Sequence, residues 1–160
     1  LTGMLNMILQ EGWDGTSLPR LDMLIQLQLE KLTPRQRKVL DALSVHIEHA
    51  DLDDLKLLTG MEPMELVEIL EELLSTHFVT EQTLGNNIIY KFRHQFYKDH
   101  VYQHLSMGKR RLWHRTIAES YEKKRNEARW RVLLPYTIRH YENSGDVERA
   151  ARLREIQNNM

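Results

Sequence analysis

Two histidines, His100 and His104, stand four residues apart, the spacing that places two zinc ligands on one face of a helix. The residue after His100 is Val101 instead of the glutamate of a metalloprotease motif, no third ligand presents itself, and the 160-residue chain has no cysteine. No metal site is therefore expected, and thiol catalysis and disulfide staples are excluded. A second concentration of reactive side chains is the basic run Lys109, Arg110 and Arg111, with Arg115 one turn later. Such a run at a helix start is a candidate contact patch, and a solvated face or a contact for an acidic neighbour accounts for it more readily than nucleic acid does. Gly108 and Lys109 lack the upstream glycine and the following Ser or Thr of a phosphate-binding loop, so this chain should not hydrolyse ATP. The aromatics Trp113, Tyr121, Trp130, Tyr136 and Tyr141 fall at helical spacing and read as core, not as a platform for stacked bases. The acidic residues lie on helix faces predicted to be exposed, and no catalytic carboxylate pair can be nominated.

The elements that must position these groups are mostly helical. Seven Gly and four Pro are few for the length, which favours long helices. Residues 1–10 form a short apolar helix candidate, residues 12–19 a loop, and residues 20–32 a second helix carrying Leu21, Leu24, Ile25, Leu27, Leu29 and Leu32. Thr33, Pro34 and Gln36 make a capping box with proline at the first helical position, opening a helix to about His49 with Val39, Leu40, Leu43 and Ile47 inward. Asp51 caps a short helix bearing Leu52, Leu55 and Leu58, and Gly60 supplies its left-handed stop. A third helix of this group begins near Pro63, with Leu66, Val67, Leu70, Leu73 and Leu74 on one face and Glu62, Glu65, Glu68, Glu71 and Glu72 on the remainder. The period then changes from helical to alternating. Residues 77–82 and 87–93 read as two strands of a hairpin joined by 83–86, with Ile88, Tyr90 and Phe92 on one face and Ile89, Lys91 and Arg93 on the other. The rest is helical: 94–105, a break at 106–108, 109–125, 132–143 with Pro135 expected in its first turn, the turn 143–146, and a last helix from Val147.

Three helices followed by a β-hairpin is the order of a winged helix-turn-helix, here spanning 33–93, with glycine in the turn between its second and third helices. In a DNA reader the third helix would present Arg, Lys, Asn or Gln to the major groove. Here residues 63–77 offer glutamates and no Lys or Arg, which adds repulsion where DNA binding normally gains from counter-ion release. The charge of the chain divides the same way. Residues 1–80 hold 6 basic and 14 acidic side chains, a net −8, and residues 81–160 hold 16 and 9, a net +7. DNA binding through 63–77 is accordingly not expected. No apolar run reaches the roughly 18 residues of a membrane span, and residues 1–10 lack the pattern of a signal peptide, so the expectation is a cytoplasmic protein without membrane contact. The chain opens on Leu1, within what reads as the tail of a helix, and is expected to be a piece of something longer.

Three spaced motifs add a resemblance. They are YKFRHQFYKDHVY at 90–102, GKRRLWHRTIAE at 108–119 and IRHYENSGDVERA at 138–150, with LEKLTPRQRKVLDAL at 29–43 upstream. Together they resemble the signal-transduction ATPases with numerous domains, at the passage from winged helix into tetratricopeptide-like repeats, and most of all the bacterial transcriptional activators and cyclase-linked regulators among them. The resemblance covers roughly residues 20–155. It implies a helical lid ending within 1–32, a winged helix at 33–93 and the start of a tetratricopeptide-like region at 94–160. It further implies that ATP or ADP is bound by an upstream domain of the parent protein, with no cofactor in this chain, and that the winged helix closes over ADP to hold the protein inactive. His94 matches the histidine that touches the ADP phosphates in that family, with Arg93 beside it; a helix start with a cation suits a phosphate. Some members have Asp after that histidine, where this chain has Gln95. The expected function is a non-catalytic regulatory segment making intramolecular and protein–protein contacts with the upstream nucleotide-binding domain and downstream repeats. The alternative is a free-standing winged-helix DNA-binding regulator with a helical dimerisation tail.

Overall fold

The computed structural model describes residues 18–160. The expected helix at 1–10 and most of the loop at 12–19 lie outside the described residues. The chain is mainly α with one small β-hairpin: α1 (Leu18–Glu30), α2 (Pro34–Val45), α3 (Leu52–Thr59), α4 (Pro63–Ser75), β1 (Val79–Leu84), β2 (Asn87–Phe92), α5 (Gln95–Gln103), α6 (Met107–Glu122), α7 (Trp130–Ser144) and α8 (Val147–Asn158).

Local chemistry sets the boundaries of the first half. Thr33 accepts from the Gln36 backbone at 3.2 Å while the Gln36 side chain accepts from the Thr33 backbone at 2.9 Å, so the capping box that opens α2 is reciprocal. Asp51 and Asp54 make the same exchange at the start of α3. Gly60 ends α3 at φ +70°, a left-handed conformation that a Cβ would strain. At the exit of α4 the Phe78 N–H reaches the Leu73 carbonyl and the His77 N–H reaches the Leu74 carbonyl, both at 3.2 Å. That is a Schellman closure with His77, at φ +65°, where glycine is usual.

β1 and β2 pair antiparallel from Val79 opposite Phe92 to Leu84 opposite Asn87, which leaves the two-residue turn Gly85 and Asn86 with glycine alone at positive φ. The strands are thus shifted from the expected 77–82 and 87–93, because the turn is two residues long and β1 continues through Thr83 and Leu84. The two faces expected along β2 alternate in an unbroken register, but burial does not follow them. Tyr90 and Phe92 are buried, but so is Ile89, and Ile88 is exposed. Ile89 lies outside the main core cluster, beside the 47–49 segment, and on the free edge of β2 Ala50, between α2 and α3, exchanges both backbone hydrogen bonds with Tyr90 at 2.8 and 3.0 Å. Helix, bridging residue, two helices and hairpin follow one another in the order expected from the sequence.

α2 ends at Val45, four residues short of the expected end, because His46 turns into extended backbone to deliver Ala50 to the hairpin. The break expected at 106–108 lies at 104–106 instead: Ser106 is its last residue and the N-cap of α6, accepting from Lys109, and Met107 and Gly108 are already helical. Pro135 is the sixth residue of α7, not a first-turn residue, since the helix begins at Trp130. Its ring removes one donor from the interior of a helix that is otherwise held on both sides by α6 and α8.

The core runs through the whole first half and beyond it. Leu21, Ile25 and Leu29 of α1 pack with Val39, Leu40 and Leu43 of α2, Leu66, Leu70 and Leu73 of α4, and Tyr97, Val101, Trp113 and Ile117 of α5 and α6. A second cluster gathers Ala118, Trp130, Leu134, Ile138, Tyr141, Ala150 and Leu153. The border between the two lies inside α6, between Ile117 and Ala118, so this helix contributes to both clusters.

Candidate functional site

The segment joining hairpin to α5 carries the residues singled out for nucleotide contact. His94 is the N-cap of α5, with extended backbone at φ −128° and ψ 137°, but its side chain makes no capping hydrogen bond. The ring stacks on Phe96 instead, centroids 5.0 Å apart and planes 6° from parallel, and leans on Tyr97 at 5.9 Å. Burial, and then the Arg93 charge, push its pKa below the usual histidine value, so the ring is neutral at pH 7 and keeps one donor. The Arg93 backbone is fixed to the Phe78 carbonyl at 2.9 Å, and its side chain is exposed.

Arg93 lines a groove of about 630 Å³ with Lys91 and Lys98, between the hairpin, the 47–49 segment and the start of α5. His94 is not among its lining residues. The structure therefore brings Arg93 to a basic groove at a helix N-terminus and leaves His94 beside it, on the aromatic face of α5.

The basic run does not act as one patch. Lys109 lies over Trp113 at 4.6 Å, and Arg110 lies over Tyr102 at 5.1 Å. Arg110 also donates to the carbonyls of Leu105 and Gln103 at 3.1 and 3.2 Å, capping the C-terminal end of α5 with a cation. Arg111 and Arg115 remain exposed. Two of the four cations are thus committed to packing.

His100 and His104 are likewise occupied. The two ring nitrogens of His100 meet Asp22 at 2.6 Å and Gln26 at 2.9 Å, which ties α5 to α1, and His104 Nδ1 meets the His100 carbonyl at 2.7 Å. Gln26 in turn donates to Glu30 at 3.3 Å, which orients its oxygen toward His100. Among the described residues no group of three His, Asp or Glu side chains is arranged to hold a metal ion.

Sequence reasoning missed a buried histidine cluster. His46 at the end of α2, His114 on α6 and His140 on α7 are each at most 2% exposed. His114 Nδ1 meets His140 Nδ1 at 2.8 Å, and His114 Nε2 meets the Tyr102 hydroxyl at 2.8 Å. His46 lies edge-on to His140, centroids 6.5 Å apart, and both of its ring nitrogens lack a partner, as does His140 Nε2. Burial pushes His46 and His114 down to about 4 and His140 lower as well, so all three are neutral at pH 7. His114 and His140 belong to the spaced motifs quoted above, which was the available signal. His46 belongs to none, and only the early end of α2 turns it inward.

The acidic face of α4 is split in a similar way. Glu65 pairs with Arg35, and Glu72 accepts from Gln36, both from the first turn of α2. Glu62, Glu68 and Glu71 remain exposed. No helix among the described residues is long and apolar enough to cross a membrane. Compared with protein families, characterised proteins and solved structures, the chain matches none.

Proposed function

We propose that this chain is a non-catalytic regulatory segment, a winged helix joined to tetratricopeptide-like helices, that couples the nucleotide state of an upstream ATPase domain to output in a bacterial signal-dependent regulator. The observation that carries this reading is the surface of α4. A winged helix that reads DNA places this helix in the major groove, and here the solvent side holds Glu62, Glu68 and Glu71 without a Lys or Arg. Each would sit against phosphates and oppose binding. An acidic α4 is better suited to a basic protein surface, and the basic groove at Arg93 to a phosphate. On this reading ATP or ADP belongs to the upstream domain, the contacts are with that domain and with further repeats, and the protein is cytoplasmic.

Two experiments test the proposal. Titration of the chain into labelled duplex DNA, read by fluorescence anisotropy, is expected to show no binding below micromolar concentration at physiological salt. Sub-micromolar affinity that falls steeply with salt and is lost on Lys91→Gln or Arg93→Gln would establish the DNA-binding alternative. In the full-length protein, His94→Leu and Arg93→Gln are each expected to weaken ADP retention roughly tenfold, as removal of one hydrogen bond to a charged group does, and to raise basal output. Unchanged ADP affinity in both variants would remove this segment from the nucleotide site.

A further inference from the structure

The groove beside Arg93 is apolar as well as basic. Ile47, Ile89 and Leu84 line it, and Leu84, at the end of β1, is 53% exposed. Lys98 also lines it but is occupied, since it donates to the Ile47 carbonyl and has Asp99 and Glu48 beside it. Lys91 and Arg93 are different. Both are exposed, and neither joins any of the ion pairs among the described residues. The free charges of the groove are therefore these two cations, set among aliphatic side chains.

Helix α4 has the opposite makeup. Met64, Glu68 and Glu71 follow one another at i, i+4 and i+7, which lines them along one side of the helix. Met64 is 70% exposed, and neither glutamate joins an ion pair among the described residues. Burial, and then the Glu81 and Glu71 charges, raise the Tyr90 pKa, so Glu81 of β1 continues the acidic line past the end of α4. Alternation along β2 sets Ile89 and Lys91 on the face opposite Tyr90, and Tyr90 packs in the main core with Leu66, Leu70 and Leu73 of α4. The acidic line and the basic groove thus lie on opposite sides of the hairpin, where one chain cannot join its own two faces. Their spacings agree. Glu68 and Glu71, as i, i+3 neighbours on a helix, have Cβ atoms about 5–6 Å apart. Lys91 and Arg93, two residues apart in extended chain, stand about 6.6 Å apart. The charges agree too, since α4 belongs to the half of net −8 and β2 to the half of net +7, so separate molecules attract through these ends.

We propose that the acidic line of α4 docks in the Arg93 groove of a second copy of this chain, so that chains associate head to tail. Glu68 and Glu71 then meet Lys91 and Arg93, with Arg93 able to take a carboxylate in its planar fork, and Met64 covers Leu84 and Ile89. The contact is heterologous. Each molecule keeps one face unused, so assembly continues along a row unless the rotation closes a ring. Ion pairs at a solvated rim are individually weak and screened by salt, which makes the association weak and sensitive to ionic strength. The inference rests on the reading of α4 as a protein-contact face. Arg93 serves either a phosphate or the second copy, whereas Lys91, Leu84 and Met64 serve the second copy.

The test is sedimentation velocity on the chain over a wide range of concentration, at low and at high sodium chloride. At low salt the average mass is expected to climb with concentration past that of a dimer, and at high salt to fall back toward the monomer. A groove variant, Lys91→Gln with Arg93→Gln, and an α4 variant, Glu68→Gln with Glu71→Gln, are each expected to weaken self-association roughly tenfold or more. All four side chains are exposed, and an unchanged circular dichroism spectrum and melting temperature confirm that each variant is folded. Mixed one to one, the two variants are expected to form a dimer and nothing larger, because only one intact α4 and one intact groove can meet. A chain that stays monomeric at low salt, association indifferent to salt or to either variant, or a mixture no more associated than its parts would overturn the proposal. Amide shifts at 89–95 on adding phosphate to such a monomer would assign the groove to phosphate alone. ADP retention in the full-length protein is measured separately, so the nucleotide reading and this one fall independently.

Discussion

His46 lies in the interior with neither ring nitrogen bonded, although an apolar side chain of similar size would fill the same space without that deficit. An unsatisfied buried polar group costs about 1–3 kcal/mol, and volume-conserving swaps in a core usually cost less than about 1.5 kcal/mol. The first effect outweighs the second, so His46→Leu is expected to raise stability at pH 7 by about 1 kcal/mol, measured as a higher urea midpoint with unchanged slope. A lower midpoint would mean that the ring makes a bond in solution that it lacks here. His114 differs, since both its nitrogens are engaged, with His140 and with Tyr102. Polar side chains so close together thus have opposite balances.

Helix α7 carries the clearest conflict between an element and its sequence. Pro135 in its sixth position removes the donor that would meet the Arg131 carbonyl and crowds that carbonyl, at a cost of about 3 kcal/mol for an interior proline. The folded helix tolerates it because Leu134, Ile138 and Tyr141 are buried against α6 and α8, while Pro135 itself is exposed. Pro135→Ala restores the hydrogen bond and relieves the crowding, and it gives up about 1 kcal/mol of unfolded-chain restriction, so a net gain of about 2 kcal/mol is expected by chemical denaturation. No gain would show that α7 needs the bend. The same helix illustrates what could be read in advance. The turn at 143–146 that ends it was legible, because glycine stops and Asp caps are local chemistry, as were the box at Thr33 and the cap at Asp51. Its start was not, because α7 begins at Trp130 only through packing of that ring in the second core cluster. The end of α2 at Val45 depends on the long-range pairing of Ala50 with Tyr90, which no local period encodes. The candidate site was legible in part for the same reason. Arg93 and the helix start behind it are local, whereas the meeting of His46, Lys98, Arg139 and His114 joins residues from four separate helices or their ends.

At the scale of the whole molecule the two core clusters meet within α6, and the three buried histidines lie at that border. Their joint effect on stability has a definite sign. Each has a folded pKa below the ordinary value of 6.5, because burial disfavours the imidazolium. Between pH 6.5 and about 4 the unfolded chain therefore binds protons that folded His46 and His114 refuse, and His140 acts in the same direction. Stability must rise with pH where the unfolded state holds more protons, so the contribution of these groups is full above 6.5 and is lost as pH falls through this window. One such group changes stability by up to about 1.4 kcal/mol per pH unit, and three acting together by up to roughly 4, which is comparable to much of a domain's total. Half-buried His94, shifted down by burial and by Arg93, acts in the same sense. Urea midpoints at about pH 7.5, 6.5 and 5.5 should therefore decline progressively on the acid side, with the amides of α6 and α7 losing hydrogen-exchange protection ahead of those in α2 and α4. His46→Leu should flatten the decline by about one histidine's share while leaving its direction intact. A midpoint that stayed level across that range would require the buried cluster to take up protons in place, with its neighbours rearranging to solvate them.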